Sequence, residues 1–140
     1  MQIKPLLRSI ESLLLACTPA LLLRLRPRSA RLRGQAGERV AEQHLQKTGH
    51  QILARNLAHP AAELDIVSQT STHLVVTEVK TSLSEHRPLR VRFGPYAMLR
   101  QRIAARALGR RLHKRPRIDL IEVHLPPGSQ RIRVKHWQGL

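Results

Sequence analysis

Aromatic side chains are nearly missing from this chain of 140 residues: Phe93, Tyr96 and Trp137 are its three. That excludes a single-strand binder that stacks bases on aromatic platforms. The one cysteine, Cys17, rules out an intrachain disulfide and suits a reducing, cytoplasmic compartment. No CxxC occurs, and no two of the eight histidines stand four apart, which argues against zinc. There is no glycine-rich phosphate loop and no internal repeat. The longest apolar stretch, Ser12–Leu23, has only twelve residues and is broken by Pro19. A membrane-crossing helix needs roughly 20.

Acid is scarce as well. Nine Asp and Glu face 25 Lys and Arg, a formal charge of +16. Such an excess points to a polyanionic partner, nucleic acid or an acidic membrane surface. Between His86 and Ile118 there are eleven Lys or Arg and no acid. Four of the nine acids instead stand at Glu38, Glu63, Asp65 and Glu78.

The length suits one domain with a substantial core, expected over 34–140. Residues 1–33 read as an apolar and basic helical extension docked on that domain. Contact with a membrane surface through 1–33 is the second reading. A cleaved signal ranks last, because Glu11 opens the apolar run and five arginines follow it.

Gly34–Thr48 reads as a helix closed by Gly49, with Glu38 pointing the way Leu45 points. Glu42 reads as a flank residue. His50–Asn56 reads as a strand and Leu57–Ala62 as a turn around Pro60. Thr81–Phe93 reads as a basic loop carrying Arg87, Arg90 and Arg92. Pro95–His113 reads as a second helix with Tyr96, Leu99, Ile103, Ala107 and Leu112 as its apolar stripe. On another face of that helix Arg102, Arg106 and Arg110 recur every four residues, with no acid to make a salt-bridge ladder. Phosphate contact is the reading that follows. Pro116–Leu125 and Arg131–Trp137 read as strands joined by Pro-Pro-Gly-Ser, with Asp119 and Glu122 structural. The order αβββαββ implies an α/β domain, a mixed β-sheet flanked by helices.

Ala61–Lys80 carries the chemistry. Its runs Leu64–Val67 and Leu74–Val79 read as strands of a hairpin bent at Ser68–His73. Opposed residues in an antiparallel pair have a constant number sum, and an even turn here gives 143. Val67 then faces Val76, Asp65 faces Glu78, and Glu63 faces Lys80. Carboxylates directly opposed across a pair repel unless a cation or a shared proton intervenes. Their oxygens suit Mg²⁺ or Mn²⁺. An odd turn would move Asp65 and Glu78 to opposite faces.

The spacing Asp65–x12–Glu78–x–Lys80 is similar to the PD-(D/E)xK core of restriction endonucleases and Holliday-junction resolvases, with Leu64 where proline is usual. The longer pattern of Gly37–Asn56, ELDIV, LVVTEVK and RIDLIEV resembles the YraN-like family, small bacterial proteins of uncharacterised role regarded as nucleases. Arg100 stands near the family's usual helix lysine, and Ile118 replaces the Phe of its RFD motif. The resemblance implies a restriction-endonuclease-like fold with Glu38, Asp65, Glu78 and Lys80 as the active-site set. It implies a metal-dependent endonuclease leaving a 5′ phosphate and a 3′ hydroxyl, and the few aromatics with the basic helix face favour duplex or branched DNA as its substrate. Asp65, Glu78 and the Val79 carbonyl would ligate the metal, with Glu38 at a second ion or at the first through water. Glu63 would steady Lys80. Arg90, Arg92, Arg100, Arg102, Arg106 and Arg110 would contact nucleic acid. Related nucleases act as dimers, so a homodimer is a further expectation. The competing expectation is a nucleic-acid-binding protein of the same fold without catalysis.

Overall fold

The computed structural model describes residues 29–84, 90–126 and 131–140. The leader run Ser12–Leu23, Arg87, and most of the Pro126–Ser129 turn lie outside the described residues. The chain forms α1 (Ala30–Lys47), β1 (Gln51–His59), β2 (Ala62–Gln69), β3 (His73–Ser82), a 3₁₀ turn (Arg90–Arg92), α2 (Pro95–Leu112), β4 (Arg115–His124) and β5 (Arg133–Trp137). The strands make one sheet in sequence order. β3 and β4 run parallel, with α2 as their crossover, and the other neighbours are antiparallel. This is the α/β order expected from the sequence.

Each sheet face carries one helix and one apolar cluster. Ala36, Val40, Ala41 and Leu45 of α1 cover Ile66, Ile121 and Val123. Ala104 and Ala105 of α2 cover Leu64, Val67, Leu74, Val76, Ile118 and Leu120. Full burial of one such Leu, Ile or Val stabilises by about 1.5–3 kcal/mol relative to exposure.

α1 starts at Ala30 rather than Gly34, because Ser29 Oγ caps it by accepting from the Leu32 N–H at 3.3 Å. Gly49, at φ 87°, ends it, and the His50 N–H reaches back to the Leu45 carbonyl at 2.9 Å. The helix crosses β3 at its tightest at Gly37. A Cβ there would lie 1.8 Å from Thr81 Oγ1, so only glycine fits. That approach sets Glu38, the next residue, over the C-terminal half of β3.

Three further expectations from the sequence change in the fold. β1 continues through Leu57–His59, so the expected Leu57–Ala62 turn contracts to Pro60 and Ala61. Glu42 is buried rather than at the flank, because Arg39 and Arg55 both pair with it. The core-facing side of α2 is not the large-residue stripe. Gln101, Ala104, Ala105 and Gly109 are buried, with Met98 and Leu108 packed beside them, while Tyr96, Leu99, Ile103 and Leu112 are exposed. The spacing 98, 101, 104/105, 108 is equally helical. Small side chains let the helix lie close on the sheet, and size misled the choice of face.

Candidate active site

The β2–β3 hairpin has the even turn the site requires. Gln69 pairs with Leu74, and the Thr70 N–H donates to the His73 carbonyl at 2.9 Å across the four-residue bend. The pairs Val67–Val76 and Ile66–Thr77 keep the sum of 143. The ladder then stops at Ile66–Thr77, one pair short of Asp65 and Glu78. Alternation breaks at the same point. Leu64 and Val67 enter one apolar cluster and Ile66 the other, although strict pleating would give Leu64 and Ile66 one face. Where the strands part, the Val79 N–H donates to Asp65 Oδ2 at 2.7 Å. A carboxylate thus takes the place of a ladder carbonyl, which fixes the Asp65 side chain between two backbones.

Around this point carboxylates outnumber cations, with Lys80 beside Glu78. Burial, then the neighbouring Glu78, push the Asp65 carboxyl up to about 7. The Val79 amide and Lys80 act in the other direction, and Glu38 adds to the rise. Glu38 reaches over from α1 and accepts from Asn56 Nδ2 at 3.2 Å. Its carboxyl is also raised, first by burial and then, against the Asn56 hydrogen bond, by Glu63. Glu78 faces α2: Lys80 Nζ donates to its Oε1 and Gln101 Nε2 to its Oε2.

The structure thus brings Glu38, Asp65, Glu78 and Lys80 to one locus. It does not put Glu63 on Lys80. Glu63 pairs with Ala58 of β1 and is exposed, and Glu78 holds the ammonium instead. The reason is the parting of the strands at Asp65, beyond which the sum of 143 no longer applies. Arg90 lies at the rim, its N–H donating to buried Glu122, which neighbours Lys80 across the parallel β3–β4 pair. Its guanidinium sits 4.9 Å from the Trp137 ring centroid. Arg92 is exposed on the same turn. Arg100 donates to the Ala61 carbonyl near the start of β2. Arg106 and Arg110 line a surface cleft of about 400 Å³ with Gly109, His113, Lys114 and Pro116. Arg102 and Arg106 border a second, of about 350 Å³, beside Ile118 and Leu140. Pro116 pairs with Leu74, so these arginines stand at the opposite end of β3 from Glu78 and Lys80.

Two residues of the site were missed in the sequence. Asn56 has φ 47° within β1, a left-handed conformation that Asn tolerates better than most residues. An Asn inside a strand pattern was the available signal. Gln101 is buried, and its Oε1 has no hydrogen-bond partner among the described residues. A lone polar residue at the spacing of Ala104, Ala105 and Leu108 was its trace.

Among the described residues no three His, Cys, Asp or Glu side chains form a group that could hold a metal ion. The donors present are nonetheless all hard carboxylate oxygens, and Asp65 Oδ1 accepts no hydrogen bond from the described residues. Asp65 and Glu78 therefore fit Mg²⁺ or Mn²⁺ in donor type and charge. A third donor is not in place.

Comparison with known proteins adds a lineage. The model of "Uncharacterised protein family UPF0102" matches residues 37–123, from the tight glycine of α1 through Val123 of β4. A UPF0102 protein of Frankia alni is 36% identical over 110 residues, 76% of this chain and 91% of that protein. One from Nitratidesulfovibrio vulgaris is 52% identical over 48 residues, and one from Porphyromonas gingivalis 53% over 49. These two matches cover 34% and 35% of this chain and 36% of each relative's length. The matched region contains α1 from Gly37 onward, the hairpin, α2 and the residues Glu38, Asp65, Glu78 and Lys80, and the chain belongs to the uncharacterised protein family UPF0102, the YraN family its motifs resemble.

Proposed function

We propose that this protein is a metal-dependent nuclease that hydrolyses phosphodiester bonds of duplex or branched DNA. The observation that carries the reading is the convergence of Asp65, Glu78, Lys80 and Glu38 where β2 and β3 part. Like-charged carboxylates with too few cations around them are costly, and such arrangements concentrate at functional sites.

Asp65 and Glu78 would hold Mg²⁺ or Mn²⁺, with the Val79 carbonyl as a further oxygen donor. Glu38 would serve a second ion or the first through water. What the ion supplies is charge withdrawal from the phosphoryl oxygen and a lowered pKa for a coordinated water. The Val79 N–H keeps Asp65 from rotating away. Lys80, engaged with Glu78, is the cation poised to orient the water and to offset charge developing on the phosphate. Gln101 holds the other Glu78 oxygen and so fixes the plane of that carboxylate. Arg90, Arg92 and Arg100 at the rim would grip the nucleic-acid backbone. Arg102, Arg106 and Arg110 would extend that contact along α2, and a dimer would present two such sites.

One observation favours a second reading, a nucleic-acid-binding protein without catalysis. Both Glu78 oxygens are occupied, and among the described residues no three acids, His or Cys lie close enough together to hold one metal ion. Nicking of plasmid and branched DNA in Mg²⁺ separates the two. The wild type should cut, and Asp65→Ala and Lys80→Ala should each lose on the order of 10²–10³-fold in rate. Equal rates in all three proteins, or none across a broad substrate panel, would leave the binding reading.

A further inference from the structure

α2 presents to solvent the side chains that its sequence pattern would bury. Tyr96 is 73% exposed, Leu99 55% and Ile103 51%. At 100° per residue these three and Ala107 form one continuous ridge. Arg102 and Arg106 run down one flank, Arg100 and Arg111 down the other, and Arg110 continues the ridge line toward the helix C-terminus, all five exposed. α2 holds no acid. No described element covers the ridge. Scattered exposed apolar residues are ordinary, but an aligned row on one helix marks an interaction surface.

The occupant must satisfy both the apolar ridge and the arginines. A nucleic-acid backbone, which the proposed function sets against arginines of this helix, would still leave Tyr96, Leu99 and Ile103 in water, so the ridge needs a partner with an apolar layer. A second copy docked by the same helix would set arginine against arginine, on a chain already at +16. An anionic bilayer surface answers both demands. Its headgroups pair with the arginines, and its acyl boundary receives the ridge, as for an amphipathic helix lying in the interface. No described helix is long and apolar enough to cross a membrane, so the contact is peripheral. We propose that the outer face of α2 docks this protein onto an anionic lipid surface, a property separate from the reading of Asp65 and Glu78.

The test is flotation of the full chain with vesicles of phosphatidylcholine alone or with phosphatidylglycerol. The variant carries Leu99→Gln and Ile103→Gln together, with folding checked by circular dichroism. The wild type should float with anionic vesicles only. The variant should keep its fold and its affinity for plasmid DNA and lose about tenfold or more in vesicle partitioning. Tyr96→Trp should show a blue-shifted emission on anionic vesicles, because the ring enters the interface. Equal partitioning of variant and wild type would overturn the proposal, since basic charge elsewhere would then suffice. Failure of the wild type to float would overturn it as well. So would a wild-type dimer in sedimentation that the double substitution splits, which assigns the face to a second copy. A nuclease assay negative in every protein would leave the flotation result untouched.

Discussion

Glu42 and Asp119 on one hand, Asp65 and Glu38 on the other, are acids of the same chain placed in opposite circumstances. Glu42 receives Arg55 Nε at 2.8 Å and Arg39 Nη1 at 2.9 Å. The Arg55 hydrogen bond, against the effect of burial, holds its carboxyl below the ordinary range. Asp119 is fully buried, and burial alone would raise it. Hydrogen bonds from His136 at 2.9 Å, from the Arg117 fork and from the Gly139 N–H keep it low instead. Among the described residues Asp65 and Glu38 have one hydrogen bond each and carboxylate neighbours, and both are raised. Glu42 and Asp119 are buried and Asp65 and Glu38 half-buried, so the direction of the shift does not follow burial. What differs is whether the fold supplies cations and donors or withholds them. Acids of the first kind tie elements together; acids of the second kind await something from outside.

Asp119→Ala should break the compensated side of this contrast most severely. It leaves Arg117 and His136 without their partner and frees the C-terminal Gly139 anchor. Removing one member of a buried charged network costs about 3–5 kcal/mol. Urea unfolding should show the loss without any change in the hairpin. Its pH dependence follows from the sign of the shift. Asp119 binds protons more weakly folded than unfolded, so its contribution is present above the ordinary carboxylate value and lost as pH falls through the depressed one.

Asp65→Asn should do the reverse. The folded value is about 7 against an ordinary 3.8, so the folded state holds the proton more tightly. The stability linked to Asp65 is greatest below about pH 4, declines as pH rises to about 7 and is flat above. Each unit corresponds to about 1.4 kcal/mol; with solvent screening of this partly exposed group the gain from Asn at pH 8 should be about 1–2 kcal/mol. Asn keeps an oxygen for the Val79 N–H. Thermal melts at pH 8 and pH 4 check it: a higher melting temperature for the variant at pH 8 only. A variant less stable than wild type at both pH values would place Asp65 among the compensated acids.

Much of this contrast was readable in the sequence, and its limits have physical causes. The hairpin register followed from an even turn between two β-branched runs, because pleating leaves only two choices. Helical angle pointed Glu38 inward, and the family resemblance placed it with Asp65 and Glu78. Glu63 was misplaced because number sums assume a continuous ladder, and nothing in ELDIV marks where the ladder stops. Glu42 was misjudged because its partner Arg55 lies on another element. The face of α2 was misread because Leu and Ile outweigh Ala in any apolar pattern, whereas the sheet needed the smaller residues. Gly37 carried its meaning only once Thr81 stood 1.8 Å from its missing Cβ.

The smallest effect belongs to Glu38→Gln, and it sharpens the contrast by dissecting the cluster. Glu38 is raised by burial first, and Glu63 adds to the rise against the Asn56 hydrogen bond. The substitution removes the charge and keeps an acceptor for Asn56 Nδ2. It also removes one of the charges that raise Asp65. Stability should therefore increase slightly above pH 7, by less than for Asp65→Asn, and be unchanged near pH 4. The Asp65 titration, followed by its carboxyl carbon resonance, should move downward in Glu38→Gln, because Glu78 and burial remain while one repulsive neighbour is gone. A midpoint that stays at about 7 would mean that Glu38 and Asp65 do not share an electrostatic environment. The uncompensated set would then shrink to Asp65, with Glu78 as its one repulsive neighbour of weight.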